Sequence, residues 1–216
     1  MHLEVLVEDS SGASLVADLL PRMIGERGQP HTWRIVSYKG IGRFPPGLTA
    51  KSDPSKRILL DQLPRILGGL GKTPGTDAVL VLLDSDSRDC KYFLSELKSV
   101  LDQCRTPPNT MFRLAIEEIE AWYIGDRRAV IAAYPRAKKA ILARYQQDSV
   151  CGTWELLADA VFPGGAQAIR KAGWPLPGTV KHEWAEKIGP CMDITNNLSP
   201  SFCKFRDGIR RLAASS

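Results

Sequence analysis

The chain has 216 residues, 44% of them hydrophobic and 25% charged, which is enough apolar material for a full core in one domain or in a domain with a sizeable appendage. No run approaches the roughly 18 apolar residues that span a bilayer, and the first residues read as a short strand rather than a signal peptide, so a cytoplasmic protein is expected. The net charge of +5 is uneven, since residues 127–216 carry 14 Lys/Arg against 7 Asp/Glu whereas residues 1–126 carry 15 against 17.

Leu3 to Val7 is a short apolar run, and after a few small polar residues Leu15, Val16, Leu19, Leu20, Met23 and Ile24 recur at helical spacing. Strand, turn and helix therefore open the chain, with Ser10 or Ser11 placed to cap the helix and Gly25 and Gly28 to end it. Thr32 to Val36 reads as a second strand. Residues 37–54 hold too much Gly and Pro for regular structure and form a long basic loop with Lys39, Arg43 and Lys51, followed by Lys56 and Arg57. Tyr38 and Phe44 in that loop can stack a base, and the loop can equally be a plain surface excursion. Ile58 to Leu70 marks a second helix, bent at Pro64, with Gly68, Gly69 and Gly71 at its end.

Ala78 to Leu83 has no polar alternation, as expected of a central parallel strand covered on both faces, and it ends in Asp84-Ser85-Asp86. A third helix carries Phe93, Leu94, Leu97, Val100 and Leu101, and Met111 to Ile116 is a further strand before Glu117-Glu118-Ile119-Glu120-Ala121-Trp122. Strands alternating with helices predict an α/β fold with a mainly parallel four-stranded sheet and right-handed crossovers. Beyond residue 125 the strand signals fade into short helical stretches near 127–145, 154–161, 165–172, 181–189 and 200–212. The expected division is an α/β core over 1–125 and a helical C-terminal region over 126–216.

In an open parallel sheet, functional groups gather beyond the carboxyl ends of the strands. Glu8 follows the first strand and Asp84 the most apolar one, so if those strands are neighbours the two carboxylates converge, with Asp86 in reach of the same point. Hard oxygen ligands of this kind suit Mg²⁺ or Mn²⁺. An Asp after a strand also serves as a turn former or a helix cap, and Glu117, Glu118 and Glu120 also fit the acidic first turn of a helix. Glu118 and Glu120 otherwise extend the metal shell or hold a second ion.

Several other signals lead nowhere. Gly68-Gly69-Leu70-Gly71-Lys72-Thr73 lacks the spacing and the strand-to-helix context of a phosphate-binding loop. His2, His31 and His182 have no metal-site spacing, and no GxSxG, HExxH or GxGxxG pattern sits in its required context. Cys90, Cys104, Cys151, Cys191 and Cys203 are odd in number without CxxC spacing, and are expected to be reduced and mostly buried. The basic C-terminal part, including Lys204, Arg206, Arg210 and Arg211, attracts polyanions such as nucleic acid, although a solvated helix face has the same composition. Trp122, Trp154, Trp174 and Trp184 are expected in packing rather than base stacking.

The pattern of strand-Glu8 and strand-Asp84-x-Asp86 resembles the Toprim domain of topoisomerases, primases and the overcoming-lysogenization-defect nucleases. More closely, Val7-Glu8, Leu83-Asp84-Ser85-Asp86, Ala115 to Trp122 and Ser199-Pro200-Ser201-Phe202 resemble the Toprim-like bacterial family of unknown function numbered 4276 (DUF4276), over nearly the whole chain. The resemblance implies a Toprim-like, Mg²⁺- or Mn²⁺-dependent nuclease acting on DNA or RNA. Its relatives are often encoded beside ABC/SMC-type ATPases in phage-defence modules, which makes such an ATPase an expected partner; a homodimer is left open. Carried over by motif, Glu8 is a metal ligand or general base, Asp84 and Asp86 are ligands, and Glu118 and Glu120 match the acids after the next motif strand. Lys181 is the candidate for the late lysine that steadies transition-state charge. Many relatives have Gly after the first Glu and a second Glu four positions on, where this chain has Asp9 and Gly12. Non-catalytic docking on an ATPase or nucleic acid, and phosphoryl transfer on small nucleotides, are the alternative readings.

Overall fold

The structure is a computed structural model that describes residues 1–45 and 53–215. Lys51 and the middle of the basic loop lie outside the described residues. Chain order runs β1 (His2–Val7), α1 (Ser10–Ile24), β2 (Thr32–Ser37), a short 3-10 turn (Pro54–Lys56), α2 (Leu59–Leu70), β3 (Ala78–Asp84), α3 (Cys90–Asp102) and β4 (Thr110–Ala115). The C-terminal part is helical among the described residues: α4 (Glu120–Gly125), α5 (Arg127–Ala133), α6 (Lys139–Leu142), α7 (Thr153–Val161), α8 (Gly165–Ala172), α9 (Leu176–Ile188) and α10 (Pro200–Ala214).

The four strands form one sheet in the order β2-β1-β3-β4, every pair parallel. This is the expected α/β class with a Rossmann-like arrangement. Side chains alternate across the sheet. In β3, Val79, Val81 and Leu83 join one core with Leu59, Leu63 and Leu67 of α2 and Phe93 and Leu97 of α3. Ala78, Leu80 and Leu82 join the other core with the apolar stripe of α1 and with Trp184, Phe202, Phe205 and Ile209 of α9 and α10. That second core runs from the strands through Trp122, Tyr123 and Ile124 into the C-terminal helices without interruption.

Local chemistry explains the element ends. Asp9, not Ser10 or Ser11, caps α1: its Oδ1 accepts the backbone N–H of Gly12 at 2.8 Å, and the Ser11 hydroxyl donates to it at 2.9 Å. The carboxylate outcompetes the two hydroxyls because its charge suits the positive end of the helix. A Cβ on Gly12 would lie 2.7 Å from Val7 Cγ1, so the backbone of α1 crosses β1 too closely for a side chain there. Pro64 lies inside α2 as expected, and Gly71 ends that helix before the turn into β3. All five cysteines are free, but none is buried, and Cys151 and Cys191 are exposed. Cys90 and Cys104 pack partly buried against the α2–α3 core, and Cys203 lies in α10. Among the described residues, no helix is long and apolar enough to cross a membrane.

Candidate functional site

β2 is reached from β1 in one direction, and β3 then lies on the other side of β1, so the strand order reverses between β1 and β3. At such a switch point, the loops leaving the two strands diverge and open a crevice beyond their carboxyl ends. Glu8 leaves β1 there and Asp84 ends β3. The pairing of these strands brings them together: the Asp84 backbone N–H donates to Glu8 Oε2 at 3.3 Å. The Gly40 N–H donates to the Glu8 carbonyl at 3.1 Å, which ties the start of the basic loop to the same rim.

Electrostatics report a crowded site. Burial pushes the Glu8 carboxyl up to about 7; the Asp84 N–H opposes the shift, and the charges of Asp86 and Asp9 add to it. Asp84 is raised well above the usual carboxylate range by burial and then by Glu8 and Glu120. Lys181, from α9, lowers both. Glu8, Asp84, Glu120 and Lys181 therefore share one electrostatic environment.

Asp86 is placed differently. It adopts a left-handed conformation (φ 48°), as does Glu117 (φ 58°), and the two form an isolated bridge in which the Asp86 N–H donates to the Glu117 carbonyl at 2.8 Å. Two non-glycine residues in this region store backbone strain, a frequent property of functional sites. The Asp86 carboxylate is half exposed and accepts from Arg88 Nη1 at 2.9 Å. It stands at the rim, held by its own arginine.

The acids after β4 divide their work. Only Glu120 belongs to the first turn of α4. Glu117 caps a different helix: its carboxylate accepts backbone N–H groups of Cys151 at 3.0 Å, Gly152 at 2.8 Å and Thr153 at 2.9 Å, together with the Thr153 hydroxyl. These bonds hold its carboxyl below the usual range despite burial. Glu118 Oε2 accepts from the Trp154 N–H at 3.1 Å, and its Oε1 meets Lys181 Nζ at 3.1 Å. Burial and the Glu120 charge push its carboxyl up to about 7. Together, Glu117 and Glu118 satisfy the start of α7, whose own N-cap Gly152 has no side chain to do so.

Glu120 is 1% exposed, and neither of its carboxylate oxygens has a hydrogen-bond partner. Lys181 Nζ lies 3.5 Å from Oε1. Burial raises the Glu120 carboxyl, and Lys181 opposes that rise. Lys181 is in turn held strongly in its charged form by Glu120, Glu118 and Asp84, against its own burial. One helical turn beyond Glu120, the Tyr123 hydroxyl is also buried without a partner, and its ionisation is suppressed by burial and by Glu120, Asp9 and Asp84. Tyr123 was not anticipated from sequence; its spacing of three from Glu120 on one helix face is the signal that could have found it.

The donors fit a hard divalent cation in kind, being carboxylate oxygens, and the two unsatisfied oxygens of Glu120 are groups such an ion would complete. Among the described residues, no three His, Cys, Asp or Glu side chains are already gathered into a metal cage, and the ammonium of Lys181 stands between Glu118 and Glu120 instead. A cavity of about 180 Å³ adjoins the cluster, lined by Asp86, Glu117, Glu118, Trp154 and neighbours.

The basic and aromatic candidates are scattered. Tyr38 and Phe44 pack partly buried against the α2–α3 core, not outward as stacking platforms. Arg206 is occupied with Asp207 and the carbonyls of Ile194 and Thr195. Trp122 and Trp184 are core residues, Trp154 is partly buried, and Trp174 is 86% exposed.

The most specific motifs interlock. Trp122 Nε1 donates to Ser201 Oγ at 2.9 Å, and the Trp122 ring meets Phe202 edge-on with centroids 5.5 Å apart. Ser199 caps α10 by accepting the Phe202 N–H, and Asp148 receives the Ser199 hydroxyl at 2.7 Å and the Ser201 N–H at 2.6 Å. The Glu-Ala-Trp and Ser-Pro-Ser-Phe pieces are thus two sides of one joint, which fixes the helix that carries Glu120. No curated protein and no solved structure matched the chain. The family model described as a domain of unknown function, DUF4276, matches residues 7–210, and the chain belongs to that family.

Proposed function

We propose that the chain is a metal-dependent nuclease of Toprim type, hydrolysing phosphodiesters in DNA or RNA. The observation that carries this reading is the convergence of Glu8 and Asp84 at the switch point, together with the buried Glu120 carboxylate, which has Lys181 beside it but no hydrogen bond, in the same electrostatic environment. Glu8, Asp84 and Glu120 would hold Mg²⁺ or Mn²⁺, with Asp86 at the rim able to join them. Glu118, already shared between Lys181 and the start of α7, supports the shell from behind. The chemistry a divalent ion supplies in such a site is charge at the phosphoryl oxygen and acidification of the attacking water.

The chain's own groups do the rest. Where Asp84 and Glu120 hold the ion without it, Glu8 is the carboxylate placed to accept a proton from water; burial raises its carboxyl in the metal-free chain. Lys181 stays charged and can follow negative charge as it develops on phosphorus, since its ammonium already faces the cluster. A cytoplasmic effector coupled to an ABC/SMC-type ATPase in phage defence is the setting that the family resemblance suggests.

A second reading, a scaffold that docks on such an ATPase or on nucleic acid without cutting, draws on Lys181 standing among the acids and on Gly12, where close packing against Val7 leaves no room for a second acid. One experiment separates the two. Purified protein with Mn²⁺ is incubated with plasmid, single-stranded DNA and RNA, beside Asp84→Ala. Cutting by the parent that disappears in Asp84→Ala supports the nuclease. Intact nucleic acid in all three incubations, with undiminished ATPase binding, sinks it.

A further inference from the structure

β4 is the edge strand of the sheet, and its outer side lies in a groove between α3 and α10. Two adjoining cavities of about 480 Å³ and about 230 Å³ share Leu94, Phe112, Arg113 and Arg211, so the groove is continuous along the strand. It reaches Ile116, one residue short of Glu117, which lines the cavity beside the acid cluster.

The groove is cationic. Arg113 and Arg211 face each other closely enough that the Arg211 charge, after burial, lowers the Arg113 pKa. Lys98 lines the wider part and Lys204 the narrower part. Among the described residues, no carboxylate ion-pairs with any of these four. The one acid in the lining, Asp148, is consumed by Ser199 and Ser201. Arg113 is held in place by donating to the carbonyls of Lys204 and Phe112. A Cβ on Gly208, inside α10, would collide with its guanidinium. A glycine inside a helix costs about 1 kcal/mol; here it makes room for a guanidinium across the groove.

We propose that this groove binds the phosphodiester backbone of a single nucleic-acid strand and leads it along β4 toward the acid cluster. Arg113 spends Nε and Nη1 on backbone carbonyls, so the exposed guanidinium of Arg211 offers the free fork, with Lys98 and Lys204 as further cations; such a set calls for an anion, and an Arg fork matches phosphate oxygens in pairs. The partly exposed Leu94 and Met111 between the cations offer apolar surface to bases, which a duplex keeps turned inward. Six strand residues at roughly 3.3 Å each give a track of roughly 20 Å. The destination of the strand rests on the nuclease reading, whereas binding in the groove does not.

The test uses the full chain in EDTA and a fluorescein-labelled single strand of about 20 nucleotides, longer than the site sizes usual for such grooves. Anisotropy is read for the parent, for the double variant Lys98→Glu/Arg211→Glu, whose two sites are exposed, and for the charge-matched double variant Lys139→Glu/Lys171→Glu at exposed sites outside the groove. The parent and Lys139→Glu/Lys171→Glu bind alike. Lys98→Glu/Arg211→Glu binds at least about tenfold more weakly, with a salt dependence shallower by about one phosphate contact or more. A matching duplex binds more weakly than the single strand. Equal binding by parent and Lys98→Glu/Arg211→Glu overturns the proposal, as does tighter binding of the duplex, displacement by poly-glutamate as effective as by unlabelled strand, or no binding by the parent. If Lys98→Glu/Arg211→Glu binds like the parent while Asp84→Ala abolishes cutting, the groove assignment falls and the nuclease reading stands. If groove binding is lost as expected and nothing cuts, the nuclease reading falls alone.

Discussion

A carboxylate buried without a hydrogen bond is expensive to ionise, and at Glu120 the ammonium of Lys181 beside it opposes that cost. Removing that ammonium while leaving the acids should cost about 3–5 kcal/mol, the usual penalty for breaking a buried pair. We expect Lys181→Met to show this loss in urea unfolding near pH 8 and a smaller loss near pH 5, where the carboxyls can protonate. A loss of the same size at both values would show that the lysine stem, rather than its charge, matters. The raised carboxyls give the parent its own pH signature. Glu8 and Glu118 go up to about 7, and Asp84 and Glu120 shift the same way. Such groups hold protons in the folded chain that the unfolded chain has already released above about 4.5, so stability falls as pH rises from there through about 7. The expected fall is roughly 1–2 kcal/mol after solvent screening. Glu8→Gln should flatten it, and added Mn²⁺ should recover it at pH 8 by binding the ionised form; thermal melts across the pH series read both effects.

Helix ends carry much of the information in this fold, and several of them are satisfied from afar. The start of α7 relies on Glu117 and Glu118, more than 30 residues earlier in the chain. Glu117→Ala should therefore fray α7, costing about 1–2 kcal/mol, and the faster hydrogen exchange should concentrate at Thr153 to Leu156. Protection unchanged at those amides would mean that Glu117 is not the cap. This distance in sequence is also why the role of Glu117 was not legible: three acids in four residues look like one helical first turn, whereas β4 ends in a left-handed kink that sends them to separate tasks. The cap of α1 was misread for a related reason. Asp9, Ser10 and Ser11 all offer a side-chain oxygen, and only the backbone geometry selects Asp9. Periodicity, by contrast, was a sound guide. The unbroken run Ala78 to Leu83 is a strand covered on both faces as expected, and α7, α8 and α10 lie close to their expected spans, whereas 127–145 divides into α5 and α6 and α9 starts at Leu176, running through Pro177 and Gly178.

Strand adjacency belongs to the whole molecule, and no local pattern contains it; that Glu8 and Asp84 meet follows only from β3 pairing with β1. The acid pair was therefore legible as two strand ends, while Tyr123 and the interlock of Trp122 with Ser201 needed the packed chain. The same packing bears on how residues 1–125 and 126–216 relate. The stripe of α1, formed by Leu15, Val16, Leu19 and Leu20, is fully buried in the core that also takes in Trp184 and Ile188 of α9 and Phe202, Phe205 and Ile209 of α10. A fragment ending at residue 125 would expose to water the side of that stripe and the part of the sheet that α9 and α10 cover, an apolar surface of the kind soluble monomers avoid. We expect the full chain to unfold in one cooperative step, with tryptophan fluorescence and far-ultraviolet circular dichroism following the same urea curve, because the two halves share a core. We expect residues 1–125 alone to aggregate or to bind a hydrophobic dye without a sharp melt. Two separated transitions in the full chain, or a fragment that melts cooperatively as a monomer, would show that the sheet has a core of its own and that the C-terminal helices only lie upon it.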